Sequence, residues 1–314
     1  MRAVDVLVIG GGPAGLSAGI HAASVGLKVL VLERAQTLPA GPGETFHPGI
    51  EAIFGSLGIA EITKKSATAR HEEILIHRCG RTQRVKYGPG WCGFQLRRSQ
   101  LNQILQARLL ETGGEVQFGT VGYDLCVDKQ GFRVKTKPGT IETRWIVDAS
   151  GYSGWLDQNL EETMTQVSHP IWLEYGYRCT DPKESNSPSL KIGDMGWHWQ
   201  APLGDGETAW VRGSDQVPKR SAAGSKLIDG TWRFSKRPAS ANYFRVGDAA
   251  CRLDPRNGHG VLRAMMSAIM AGHLIKATNT RQIEAEQAAQ IYTGWLHKWF
   301  QYDADQLQNL SRIL

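Results

Sequence analysis

The chain has 314 residues, 41% hydrophobic and 21% charged, with a net charge of +6 and neither a repeat nor a low-complexity tract. That length can bury a large core as one long or two modest domains, while no apolar run reaches the length of a membrane span and no signal-peptide pattern precedes the first strand, so a cytoplasmic protein without a membrane span is expected. The five cysteines (Cys79, Cys92, Cys126, Cys179 and Cys251) form no C-x-x-C pair, which argues against a disulfide framework, a zinc site or a redox dithiol, and no metal is expected.

Val4 to Arg34 carries the densest signal. Val6 to Ile9 form a short apolar strand, and Gly10, Gly12 and Gly15 follow at the G-x-G-x-x-G spacing, with Pro13 and Ala14 inside it. Gly19 lets the ensuing helix pack closely, Gly26 ends it, Val29 and Val31 lie in a second strand, and Glu33 sits at its tip. Strand, turn, helix, strand and terminal acid together make a dinucleotide fingerprint. Gly10 permits the tight turn and Gly12 lets the backbone approach a pyrophosphate, at which the helix aims its unpaired amides and positive dipole end. Glu33 suits an adenosine ribose and repels a 2′-phosphate. The chain therefore reads as a binder of an ADP-containing dinucleotide.

Gly43, Glu44 and Thr45 form a loop, and Pro48 opens a short helix carrying Ile50, Ile53, Phe54 and Leu57. Glu72–Gly80 and Arg81–Gly93 read as a polar-faced hairpin. A helix with Leu101, Ile104, Leu105 and Leu109 on one face stops at Gly113–Gly114, a strand spans Glu115 to Phe118, and residues 121–147 form a meander. From Leu173 to Val211 a second sheet appears, and residues 214–240 are polar and partly mobile. Tyr243–Val246 is a last strand, residues 260–275 a helix, and Gln282–Leu314 an amphipathic helix burying Ile291, Leu296, Trp299 and Phe300. There is no second G-x-G-x-x-G, hence no dedicated nicotinamide domain.

Trp155, Trp172, Trp197, Trp199, Trp210 and Trp232 crowd the middle of the chain, either as a wall over a flat ring or as core filling. Basic residues gather at Arg78, Arg81, Arg84 and Lys86, and at Lys219, Arg220, Lys226, Arg233, Lys236 and Arg237. A solvated face or a steering field for anions accounts for them better than a nucleic-acid footprint, and no nucleic-acid partner is expected.

Further motifs resemble one flavoprotein superfamily, the p-hydroxybenzoate-hydroxylase-like FAD enzymes. Arg98 to Asn102 is similar to their R-x-x-L-[DN] helix start, Trp145 to Leu156 (WIVDASGYSGWL) to [VI]-[DG]-A-[ST]-G, and Tyr243 to Gly260 to G-D-A-A-x4-P-x2-G-x-G. The resemblance covers residues 6 to 272. It implies an α/β fold with a Rossmann-like FAD-binding domain (1–70, 94–165 and 241–285), an inserted, mostly antiparallel β-sheet substrate domain (71–93 and 166–240) and a C-terminal helix (286–314). The cofactor implied is FAD. Asp248 is expected on its ribityl chain, Arg98 on its diphosphate or ribose, and Pro255 to Gly260 along the isoalloxazine edge. The backbone at Asn257, Gly258 and Gly260 and the positive end of the helix entering at Val261 are placed to stabilise negative charge on the reduced ring. Glu33, Arg34, Thr45, Val121, Ala149, Gly151 and Gly247 complete the expected cofactor contacts.

Gly196 to Leu203 (GWHWQAPL) resembles the W-x-W-x-[IA]-P-L signature of the flavin-dependent halogenase branch. Gly43-Glu44-Thr45, Pro48 and Leu57-Gly58-Ile59 resemble its G-E-[AST]-x-x-P…L-G-I stretch. That branch carries a catalytic lysine on the next strand. Here Thr68 to His77 has none, Arg70 and His71 are the nearest basic residues, and Lys64 and Lys65 precede it. G-E-T, W-x-W and the ending Asp254 to Ala264 look closest to the flavoprotein monooxygenases that hydroxylate a tryptophan of a partner polypeptide during quinone-cofactor biogenesis.

The resemblance implies an FAD-dependent monooxygenase that hydroxylates an aromatic small molecule or a partner polypeptide through a flavin C4a-hydroperoxide, reduced by NAD(P)H directly or by a flavin reductase. His259, His47 and Glu44 are the candidate acid–base groups. Trp197 and Trp199, alternating on one strand face, and Arg256, a clamp for a carboxylate or phosphate, are the candidate substrate contacts, while His198 faces the other way. The rival readings are a halogenase-like enzyme, an isoprenoid reductase and, outside catalysis, a flavin-loaded assembly factor.

Overall fold

The computed structural model describes residues 1–38, 41–128, 131–181, 185–218 and 221–312. Lys219 and Arg220 of the second basic cluster lie outside the described residues.

The fold is α/β, as the sequence predicts. Its main sheet runs in the order Ala239–Ser240, Tyr243–Arg245, Gly139–Asp148, Arg2–Ile9, Val29–Leu32, Glu115–Gln117, and Arg2–Ile9 lies parallel to both its neighbours, with Val6 opposite Trp145 and Val29. The meander Asp124–Asp128, Gly131–Thr136, Gly139–Asp148 extends this sheet antiparallel. The second half of strand Arg2–Ile9, Val6 to Ile9, is an unbroken apolar run because both its faces are covered: Val6 and Val8 belong to one core cluster, Leu7 and Ile9 to another.

Helix Pro13–Ser24 is buried along most of its length, packing against helices Arg98–Glu111 and Gly260–Asn279. Close approach explains Gly19, where an added Cβ would lie 3.0 Å from Leu109 Cδ1 and 3.3 Å from Val31 Cγ2. Pro48 does not open the following helix as expected. Pro48 and Gly49 form a turn, the helix is Ile50–Ser56, and Gly58 at φ +72° separates it from a second short helix, Ala60–Ser66.

A second sheet has seven strands, in the order Lys226–Asp229, Trp172–Cys179, Glu207–Ser214, Gly196–Pro202, Ser189–Gly193, Glu73–Arg78, Arg81–Lys86. It is antiparallel except where Ser189–Gly193 runs parallel to Glu73–Arg78, so the early hairpin joins strands that come a hundred residues later. That hairpin turns on Cys79 and Gly80, both with positive φ as a two-residue primed turn requires. Its outer strand Arg81–Lys86 is exposed throughout, and Arg84 pairs with Glu73 at 2.6 Å. Arg81, Arg84 and Lys86 of the first basic cluster thus form a solvated sheet edge, while Arg78, on the adjoining strand, is half-buried. Among its described residues the polar stretch 214–240 contributes three strands: Lys226–Asp229, Ala239–Ser240 at the edge of the main sheet, and Arg233–Ser235 in a small sheet with Met164–Gln166 and Cys251–Arg252.

The last helix, Ala285–Arg312, is amphipathic, but its buried stripe differs from the predicted one. Ala288, Tyr292, Leu296, Phe300, Ala304 and Leu307 face inward, whereas Ile291 and Trp299 are 40% and 39% exposed. Each i, i+4 step advances slightly more than a full turn, so the ladder keeps to one face and leaves Ile291, about 100° off it, on the flank. Four of the six central tryptophans (Trp155, Trp197, Trp210 and Trp232) are buried, so core filling takes most of them.

Candidate functional site

The parallel strands end at one edge of the main sheet, and a signature segment follows four of them: Gly10–Gly12, Glu33, Ala149–Gly151 and Gly247–Asp248. Ligands of open α/β sheets bind outside such an edge. Gly10, at φ +108°, and Gly15 are required by the protein itself, since an added Cβ would strike the carbonyl oxygen of Ala149 in the first case and of Gly10 in the second. Gly12 is different. Its φ is −77°, which any residue adopts, and no atom lies within 4 Å of an added Cβ. Gly260, at the start of helix Gly260–Asn279, meets nothing either. Both helices begin without an acidic first turn or a side-chain cap. Pro13 and Ala14 are buried beneath the first.

Glu33 is 6% exposed, and its carboxylate accepts from the N–H groups of Gly11 and Ala35, each at 2.8 Å. Thr120 donates its N–H to the Glu33 carbonyl at 3.0 Å, which brings exposed Val121 and exposed Arg34 to the same rim. Asp248 is open to solvent by surface area yet deep enough that burial pushes its carboxyl up, opposed by Arg252, Arg263 and Arg98; it lines a cleft. Arg98 Nη2 donates to the Pro42 carbonyl at 2.8 Å, while its buried Nε has no hydrogen-bond partner. Burial pushes the Arg98 pKa down, and Glu44 and Asp248 counter it. Open glycine positions, two bare helix N-termini, an orphaned guanidinium nitrogen and a deep carboxylate along one edge fit an extended FAD.

At the late glycine loop, Gly258 has φ +68° and Val261 packs against the loop at Gly43. His259, the residue before helix Gly260–Asn279, meets His47 edge to face with ring centroids 5.3 Å apart. His47 Nδ1 accepts from the Gly49 N–H at 3.1 Å, so the ring proton is on Nε2, and burial and then His259 hold its pKa below the usual imidazole value. The Tyr87 ring lies 5.5 Å from His47, and its hydroxyl is 3.2 Å from Nε2 of His71. Gln95 places its amide nitrogen on Thr45 Oγ1 at 2.9 Å and turns its oxygen to His71 Nδ1. His71 is 5% exposed, with its pKa pushed down to about 4 by burial and by His47.

The structure therefore brings His47 and His259 together but directs Glu44 elsewhere. Glu44 is 4% exposed, accepting from the Tyr177 hydroxyl at 2.5 Å and from the Gly43 N–H at 2.8 Å, beside Arg98. Burial pushes its carboxyl up. Trp197 and Trp199 share a face of the second sheet with Tyr175 and Tyr177, and His198 is half-buried on the opposite face near Trp210. The Trp197 indole hydrogen-bonds to Asp254 and lies 5.7 Å beneath the Arg256 guanidinium, whose Nε is 2.9 Å from Asp254 Oδ2. Arg256 thus ties the Pro255 turn to the sheet, where the sequence suggested a substrate clamp. Tyr177, Tyr87 and Asp303 escaped sequence reasoning. Tyr175 and Tyr177 had a signal, the two-residue alternation of aromatics; Asp303 had one as an acid in an apolar stripe.

Among the described residues no group of metal-ligating side chains exists, all five cysteines are free, and no helix is long and apolar enough to cross a membrane.

The chain is 24% identical to tryptophan 2-halogenase of Chondromyces crocatus over 91% of its length, and covers 64% of that protein. It thus spans just under two-thirds of that relative. It is 23% identical to digeranylgeranylglycerophospholipid reductase of Methanococcus vannielii over 95% of its length and 83% of the reductase. Its fold matches flavin-dependent brominase Bmp2 with a TM-score of 0.85 at 19% identity, over 98% of this chain and 87% of that one. It also matches pqsL, a probable FAD-dependent monooxygenase from Pseudomonas aeruginosa, with a TM-score of 0.83 at 15% identity, over 96% and 93%. Residues 3–181 match the FAD binding domain family, so the chain belongs to that family and FAD is its cofactor.

Proposed function

We propose that the chain is an FAD-dependent oxidoreductase, specifically a monooxygenase that hydroxylates an electron-rich aromatic ring, of the size of an indole, on a small molecule or a partner polypeptide. The observation that carries this reading is the paired His47 and His259 at the glycine loop, with the aromatic face of the second sheet reaching both approaches to it: Tyr177 bonds to Glu44 on the loop leading to His47, and Trp197 lies under Arg256 in the turn leading to His259. Bound and reduced FAD supplies two electrons to O2, so that one oxygen atom enters the ring and the other leaves as water. The chain's own residues do the rest. Gly12 would admit the pyrophosphate at the turn that Gly10 and Gly15 make possible, Glu33 would hold the ribose, and Arg98, Thr45 and Asp248 would hold the middle of the cofactor. Gly258, Gly260 and Val261 would line the ring. His259 and His47, of which one stays neutral, hold and pass the proton that the substrate and the departing oxygen exchange. The second sheet is, in this reading, the substrate-facing domain.

Halogenation is the second reading, favoured by the likeness to a tryptophan halogenase and to a brominase fold. Against it, strands Ala69–His71 and Glu73–Arg78 hold no lysine, and Lys64, in the last turn of helix Ala60–Ser66, lies 3.9 Å from Glu51 at the surface. A role in maturing a tryptophan-derived quinone rests on the ending Asp254 to Ala264 and is the narrowest form of the proposal. Mass spectrometry of aromatic substrates and partner proteins after incubation with FAD, reductant and 18O2 decides. A labelled hydroxyl supports the proposal; a halide-dependent product without label overturns it.

A further inference from the structure

A cleft lined by Gly247, Asp248, Gly260, Arg263, Trp295 and Trp299 brings the C-terminal helix against the late glycine loop. Behind its Arg263, Asp303, 2% exposed, places Oδ1 at 3.3 Å from His259 Nδ1 and Oδ2 at 3.0 Å from Arg263 Nε. The side chains of His259 and Arg263 are 27% and 16% exposed, so the contact is shielded from most of the solvent. One carboxylate from the end of the chain thus engages the histidine before helix Gly260–Asn279 and the arginine in that helix's first turn.

We propose that Asp303 is the positioning residue of His259: it fixes which ring nitrogen bears the proton and docks the C-terminal helix onto the flavin loop. A carboxylate only accepts hydrogen bonds, so the nitrogen facing it, Nδ1, carries the proton and Nε2 carries the lone pair. His47 has the opposite arrangement, with Nδ1 committed as an acceptor to the Gly49 N–H and the proton on Nε2. The two facing rings therefore differ in tautomer, one with a lone pair and the other with a proton on Nε2. Arg263 adds a second reason for the acid. Helix Gly260–Asn279 has no acidic residue in its first turn, where a cation opposes the helix dipole. Asp303 supplies that negative charge from another segment.

This inference deepens the monooxygenase proposal, on which it rests only for what His259 does. The test is 15N NMR of the histidine-labelled full chain at pH 8, with and without FAD, His259 being assigned through His259→Gln. Wild type is expected to show His259 protonated on Nδ1. Asp303→Ala and Asp303→Asn should move the proton toward Nε2, and Asp303→Glu should restore Nδ1. An Nε2-protonated His259 in wild type, or an unaltered tautomer in a variant with wild-type circular dichroism, overturns the proposal. The wild-type spectrum decides even if a variant fails to fold. The readout needs no turnover, so an enzyme that proves not to hydroxylate leaves this result standing.

Discussion

The phenol of Tyr177 donates a 2.5 Å hydrogen bond to Oε1 of Glu44, joining residues 133 positions apart. It fastens the second sheet to the loop that leads to His47, and the same carboxylate steadies the buried Arg98. Tyr177→Phe keeps the ring over which the Arg97 guanidinium lies but strips the donor, leaving a buried carboxylate oxygen short of a partner. The expected loss is about 1–2 kcal/mol, read as a lower denaturant midpoint with unchanged slope. Combining it with Glu44→Gln should cost less than the sum of the two, since both act on one bond. Strict additivity would show that the bond does not link the two segments.

Gly260 and Gly10 should respond in opposite ways to alanine. At Gly10 the positive φ and the Ala149 carbonyl leave no room, so Gly10→Ala should destabilise the flavin-free protein by more than about 1 kcal/mol. At Gly260 nothing in the protein meets a Cβ, and alanine suits a helix better than glycine. Gly260→Ala should therefore melt at or slightly above wild type without FAD, yet bind FAD at least tenfold more weakly in a fluorescence titration. Wild-type affinity in Gly260→Ala would remove the isoalloxazine from this loop.

What was legible in the sequence was whatever local chemistry dictates. The strand, glycine turn, helix and acid around Gly10 to Glu33 are contiguous, and so is the Gly247 to Gly260 loop, so the fold around both segments and the FAD cofactor could be read directly. The histidine pair was half legible: His47 and His259 stood out singly, but their 5.3 Å contact depends on how two distant loops fold over one sheet edge. For Glu44 the motif names the residue and not the direction of its side chain, which is turned to Tyr177. The same holds for Arg256, whose charge meets Asp254 and whose flat face meets Trp197. Asp303 lay in a helix read only for its apolar stripe.

Acid should weaken the fold through its neutral buried histidines. His71, between Gln95 and Tyr87, and His21, 4.1 Å from the His273 ring beneath Gly272, are both pushed from 6.5 down to about 4, chiefly by burial. The unfolded chain takes up these protons first. Their contribution is therefore complete above pH 6.5, falls as pH drops from 6.5 to about 4, and is gone below that. For His71 the shift corresponds to at most about 3 kcal/mol. His71→Gln should flatten this part of the stability curve, measured by urea unfolding from pH 7.5 to 4. A variant with the wild-type slope would show that His71 does not titrate against burial.

The two wall tryptophans should separate cofactor binding from coupling. Trp197 is 8% exposed and hydrogen-bonds to Asp254, which is fully buried and braces the turn that leads into the Gly258 loop. Trp197→Phe keeps an aromatic ring but removes that donor, so it should lower the FAD retained per chain, read from flavin absorbance after gel filtration. Trp199 is half-buried on the same face and packs with the aliphatic cluster that includes Leu173 and Leu190. Trp199→Ala removes part of the wall without touching the flavin loop. It should keep wild-type FAD content while releasing several-fold more hydrogen peroxide per hydroxylated product, because a poorly seated ring lets reduced oxygen escape unused. If Trp199→Ala lost its flavin and stayed fully coupled on what remained, the wall would belong to the cofactor site and the substrate would have to be sought elsewhere.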